Sequence, residues 1–112
     1  MAFSYTVDGD RDVARVSLVG EIDMNVSDRV PAVVQEALAE YSPVRLEVDL
    51  GALDFCDSSG IASLFAARAV AEDAGCRFVV VNVHGMVRRV MEITGVLNAL
   101  SGDTEVGPPS LS

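Results

Sequence analysis

Residues Asp54-Phe55-Cys56-Asp57-Ser58-Ser59-Gly60 bring two carboxylates, a thiol and two hydroxyls into seven consecutive positions. The simplest chemistry open to them is helix capping. Asp57, Ser58 and Ser59 are all good N-cap types, and Asp-Ser-Ser-Gly is a common string at a helix start. A second chemistry is nucleophilic catalysis by Ser58, which needs a nearby base and a third group to orient that base. The sequence has one histidine, His84. It falls after the fourth expected strand, and nothing in the sequence brings it to Ser58, so a hydrolase is disfavoured. No metal-ligand cluster is expected, and no Gly-x-x-x-x-Gly-Lys loop for a nucleotide is present. The readings for cofactor and metal are therefore none.

These residues sit between two expected elements. Upstream, Val44, Leu46, Val48 and Leu50 alternate with Arg45, Glu47 and Asp49, which predicts a strand over 44–50 with one buried face. Downstream, Ile61, Leu64, Phe65, Arg68, Ala69 and Glu72 lie three and four apart and predict a helix whose apolar stripe fades toward Gly75, a C′ glycine. Six alanines between positions 62 and 74 suit close packing on a sheet. The segment 54–60 thus lies at the carboxyl end of a strand, where α/β folds commonly place sites.

The rest of the chain supplies the scaffold. Alternation at Phe3, Tyr5 and Val7, β-branched content over 13–19, and the turn string Asp8-Gly9-Asp10 predict an opening hairpin. Val30, Val33, Val34, Ala37, Leu38 and Tyr41 give the face of a first helix capped by Asp28, with Pro31 tolerated near its start and Pro43 closing it. Residues 78–81 form an apolar strand. Val87, Val90, Met91 and Thr94 outline a third helix ended by Gly95, and 96–100 is a candidate final edge strand. The order β-β-α-β-α-β-α, with a possible last strand, predicts an α/β class: a mixed, partly parallel, four- to five-stranded sheet packed by helices.

Half of the 112 residues are apolar, enough for one core, so 1–101 is expected as a single domain and 102–112, with Pro108-Pro109, as a flexible tail. Seventeen acidic against eight basic residues give a net charge of -9, which repels nucleic-acid backbones and anionic lipid. No apolar run approaches the ~20 residues of a membrane span, and Met1 leads into the first strand without a leader-like segment. A soluble, cytoplasmic protein is expected. Cys56 and Cys76 flank the second helix, and about 17 helical residues at ~1.5 Å each hold them roughly 25 Å apart. A disulfide requires less than ~7 Å between α-carbons, so none is expected.

Asp57-Ser58-Ser59-Gly60-Ile61 after a strand, Gly20-Glu21-Ile22-Asp23 after the second strand, and Val87-Arg88-Arg89-Val90-Met91 with Thr94-Gly95-Val96 occur in an order and at distances that resemble the STAS-domain anti-sigma factor antagonists, over about residues 5–100. The resemblance implies a STAS fold and a chain that is not an enzyme. It further implies that the chain binds an anti-sigma factor with serine kinase activity, releases a sigma factor, is switched off by phosphorylation and is reset by a phosphatase acting on phosphoserine. It assigns the phosphoacceptor to Ser58 and partner binding to Asp23, Met24, Asn25, Asp57, Ser58, Ser59, Gly60 and Ile61. Gly60 is expected to leave room for the partner rather than to serve folding. The alternative is a non-switching STAS interaction or scaffold module of a signalling complex.

Overall fold

The computed structural model of the chain describes residues 3–101. Strands β1 (Ser4–Gly9) and β2 (Val13–Ile22) form the expected antiparallel hairpin, with Ser4 opposite Val19 and Gly9 opposite Ala14. Its turn is closed by Asp10, whose Oδ1 accepts the N–H groups of Asp12 at 2.8 Å and Val13 at 3.0 Å. Then follow α1 (Arg29–Tyr41), β3 (Arg45–Cys56), α2 (Ser58–Asp73), β4 (Arg77–Val81), α3 (Gly85–Thr94) and α4 (Leu97–Ser101). The sheet order is β1-β2-β3-β4, and β2, β3 and β4 run parallel. The fold is thus the mixed α/β arrangement that the element order predicts.

One face of the sheet carries the core. Val16, Leu18 and Ile22 of β2, Leu46, Val48 and Leu50 of β3, and Phe78 and Val80 of β4 are buried beneath Val30, Val33, Val34 and Ala37 of α1 and Ile61, Leu64, Ala67 and Ala71 of α2. Burying that many aliphatic side chains, at ~1.5 to 3 kcal/mol each, is the main force holding helices to sheet. The opposite face of β2 and β3 carries a cluster of ion pairs: Arg15 meets Glu47 at 2.7 Å and Asp49 at 3.7 Å, and Arg45 meets Glu47 at 3.3 Å. Among the described residues no helix is long and apolar enough to cross a membrane.

Three expectations need correction. First, β3 does not stop at Leu50 but runs on to Cys56. Two register shifts against β2, at Ser17/Val19 and at Gly20/Glu21, each insert an extra residue into β3. The buried positions then become Leu50, Leu53 and Cys56, three apart, and the period of two that marks a strand disappears. Second, residues 96–100 form no strand. Gly95 turns the chain with φ 78°, Leu100 N–H donates to the Val96 carbonyl at 3.2 Å, and Leu100 is buried as part of α4. The described sheet therefore has four strands. Arg68 of α2 holds α4 through its Nη1 donor to the Ala99 carbonyl at 2.9 Å.

Third, the inner face of α2 is Gly60, Ile61, Ser63, Leu64, Ala67 and Ala71, whereas Arg68, Ala69 and Glu72 turn outward or toward the rim. Arg68 and Glu72 pair across one helical turn at 3.0 Å, which places the fading stripe on the solvated side. The two alanines at 67 and 71 let the helix lie close to the sheet. The cysteines are both free and both buried, at opposite ends of α2. The expected tail, 102–112, lies outside the described residues.

Candidate functional site

The carboxyl ends of β2 and β3 lie side by side, with Ile22 opposite Cys56. The next amide extends this pairing, since Asp57 N–H donates to the Ile22 carbonyl at 3.2 Å. Asp57 is still extended, with φ -89° and ψ -171°, and the chain turns into α2 directly after it. Of the three candidate caps it is Asp57 that acts: its Oδ1 accepts the Gly60 N–H at 3.0 Å, and its carbonyl accepts the Ile61 N–H at 3.0 Å. Ser58 is the first residue of the helix and is exposed. The first turn of a helix is where the helix dipole favours negative charge.

Ser59 is half-buried and lines a shallow groove between the starts of α1 and α2, with Ser27, Asp28, Pro31, Ala62, Ser63 and Ala66. Gly60 is buried and a side chain on it would point inward, which corrects the expectation that it does not serve folding. A Cβ on Gly60 would overlap the Cys56 sulfur and lie 3.0 Å from Cγ2 and 3.2 Å from Cβ of Ile22. The glycine lets the helix start descend onto the ends of β2 and β3. Ile61 is likewise a core residue. Ser63 donates its hydroxyl to the Gly60 carbonyl at 2.6 Å.

The loop after β2 supplies the other candidates. Asp23 is half-buried, and its Oδ1 accepts the Asn25 N–H at 2.9 Å while its carbonyl accepts the Val26 N–H at 3.1 Å. That turn projects Met24, 76 % exposed, and Asn25 into solvent. The bond between Asp57 and Ile22 ties this loop to the helix start, so Asp23, Met24 and Asn25 join Asp57 and Ser58 on one end of the sheet. Beneath them the Cys56 thiol is pushed up to about 12, by burial first and by the Asp57 charge second. It is a protonated core group.

His84 is held elsewhere. Its Nε2–H donates to the Gly51 carbonyl at 2.9 Å, anchoring the ring at the first bulge of β3, roughly 16 Å of strand before Cys56. Among the described residues no group of three or more His, Cys, Asp or Glu side chains is arranged to hold a metal. One residue at this end escaped the sequence reading: Phe55, beside the second bulge, is 38 % exposed. The signal was present in the spacing Leu50, Leu53, Cys56, which only a bulged strand accommodates.

Residues 5–101 match the family described as Mlab, STAS domain. The chain belongs to the STAS-domain family. Its relatives include the anti-sigma F factor antagonist of Paenibacillus polymyxa, 26 % identical over 100 residues that make up 89 % of this chain and 86 % of the relative. Among solved structures, an anti-sigma factor antagonist from Mycobacterium paratuberculosis is 29 % identical with a TM-score of 0.72, covering 88 % of this chain and 83 % of that one. The unphosphorylated anti-sigma factor antagonist SpoIIAA superposes with a TM-score of 0.70 at 20 % identity, over 87 % and 85 % of the two chains, and shows the shared fold. In this STAS domain the end of the sheet that carries Ser58 is built by short-range backbone bonds and a packed floor, with its exposed groups held in place from below.

Proposed function

We propose that this STAS domain is a cytoplasmic anti-sigma factor antagonist. It binds an anti-sigma factor with serine kinase activity, thereby releasing a sigma factor, and phosphorylation of Ser58 by that kinase switches it off. The observation that carries the reading is the exposed Ser58 at the first position of α2, beside the capping Asp57 and next to the Asp23 to Asn25 loop. The names of its relatives support the same class. Ser58 is favoured over Ser59 as acceptor because Ser59 is half-buried in the groove.

The chain is the substrate in this scheme, and the partner supplies ATP and the catalytic base. Phosphorylation adds about -1.5 to -2 charges at neutral pH. The start of α2 tolerates an anion, being stabilised by ~0.3 to 1 kcal/mol. The complex does not, because the same charge joins Asp23 and Asp57 at a buried interface, where like charges cost several kcal/mol. About 3 kcal/mol corresponds to a hundredfold loss of affinity. A phosphatase for phosphoserine returns the chain to its active form.

The test begins with co-purification and mass-spectrometric identification of the partner. Ser58→Ala is expected to bind it constitutively and resist phosphorylation, Ser58→Asp to bind roughly a hundredfold more weakly, and Ser59→Ala still to accept phosphate. If Ser58→Ala is phosphorylated normally, or phosphorylated and free protein bind alike, the switch is absent and the domain is a non-switching interaction module.

A further inference from the structure

We propose that Phe55 is an apolar anchor of the partner-docking surface, and that the complementary feature on the partner is an apolar pocket edged by Arg or Lys. The proposal deepens the reading above and rests on it. Its starting point is an inversion of the usual sorting. Leu53 is buried, so an unbulged strand would bury Phe55 with it and turn Cys56 outward. The register shift at Gly20/Glu21 reverses this, leaving Cys56 3 % exposed and Phe55 38 % exposed, opposite Glu21. A fold that spends its bulge on exposing the larger apolar side chain is re-aiming that side chain, a recurrent use of bulges beside functional sites.

Its location fits docking. Three peptide links separate Phe55 from Ser58, so their α-carbons are at most ~11 Å apart. A standard partner footprint of ~800 Å² is a disc of roughly 16 Å radius, and one centred on Ser58 reaches Phe55. Met24, 76 % exposed, flanks the same end through the bond between Asp57 and Ile22. Aromatic residues are enriched among interface anchors. The polar surroundings are acidic, Asp23, Asp54 and Asp57, which sets the charge of the complementary rim.

The anti-sigma factor kinase that co-purifies with the wild-type chain is the probe. Phe55→Ala is expected to raise its Kd at least ~10-fold and to raise KM for phosphorylation of Ser58 by a like factor, with kcat within ~2-fold, because an anchor remote from the reacting atoms contributes uniform binding. Asp54→Lys is expected to weaken binding in the same direction and to flatten its dependence on salt. Val44→Ala is the control: Val44 is more exposed, at 68 %, but lies just before the opposite end of a 12-residue strand and should change nothing. Phe55→Ala binding within ~2-fold of wild type, or a fall in kcat at constant KM, overturns the anchor and leaves the Ser58 switch standing. Failure of wild type to bind any anti-sigma factor kinase removes both.

Discussion

Helices α1 and α2 each begin immediately after an aspartate, yet the two starts are built differently. Asp28 is already helical, with φ -70° and ψ -13°, and its carboxylate caps nothing. The turn before it has taken up the first donors: Arg29 N–H goes to the Val26 carbonyl at 2.9 Å and Val30 N–H to the Ser27 carbonyl at 3.2 Å. Pro31, third in the helix, has no N–H to satisfy. Asp57, by contrast, leaves an extended strand and must close the first turn of α2 itself by accepting the Gly60 N–H. A chain that curls gradually into a helix makes a cap redundant, whereas a strand that abuts a helix depends on it. The abrupt start is the one that carries Ser58, so the proposed phosphoacceptor has its position set by the ends of two strands.

The third helical position separates the two starts most sharply. Gly60→Ala should destabilise the domain by ~1 to 3 kcal/mol and Gly60→Leu by more than ~3, because the Cβ enters space held by Cys56 and Ile22. Pro31→Ala, at the equivalent place in α1, should stay within ~1 kcal/mol. Urea unfolding measures all three. The cause is checked by pairing Gly60→Ala with Cys56→Ala: removing the sulfur makes room, so the double variant should be at least ~1 kcal/mol more stable than the sum of the two losses. Strict additivity would mean that Gly60 matters for something other than this contact.

The caps themselves come next in size. Asp57→Ala should cost ~1 kcal/mol, within the ~0.5 to 2 range for capping residues, and should speed hydrogen exchange at the Gly60 amide. Asp28→Ala should remain within a few tenths of a kcal/mol, since no orphan donor is lost. Equal losses at the two aspartates would erase the distinction drawn between the two helix starts.

What the sequence made legible follows the same division. The boundaries of α1, the C′ glycines at 75 and 95, and the parallel core strands could be read from periodicity and turn residues, although the expected Asp28 side-chain cap is not made. The last third of β3 could not, since its two bulges stretch the buried spacing from two to three residues, and that spacing resembles neither a strand nor a long helix. The lost register also hid which way Phe55 and Cys56 point, and with them the packing of Gly60. Residues 96–100 were misread because five residues rich in apolar types fit a strand as well as a short helix, and only burial of Leu100 beside α2 decides. That a helix starts at the string 57–60, with a cap among Asp57, Ser58 and Ser59, was legible because the string is local. Its floor was missed because Ile22, Cys56 and Gly60 meet only in three dimensions.

That floor has a titratable signature that the start of α1 lacks. Burial, and after it the Asp57 charge, pushes the Cys56 thiol from 9.0 up to about 12. In the unfolded chain the thiol ionises near its ordinary value, while in the folded chain it keeps its proton, so above that value the native state binds more protons than the unfolded state. The stabilisation is therefore complete below about pH 8.5 and is lost as pH climbs toward 12. By pH 9.5 the loss is under ~1 kcal/mol, the smallest of these effects. Cys76 is raised by burial too and contributes to the same slope. Unfolding free energies of wild type should thus fall between pH 7.5 and 9.5, and Cys56→Ala should fall less over that interval whatever its absolute stability. Asp57→Ala and Asp28→Ala should both leave the slope over this interval nearly unchanged, because burial, the larger cause, still keeps the folded thiol protonated there. An identical pH dependence in wild type and Cys56→Ala would show that the thiol is already solvated in the native state, and that the seat of α2 on β2 and β3 is looser than its geometry indicates.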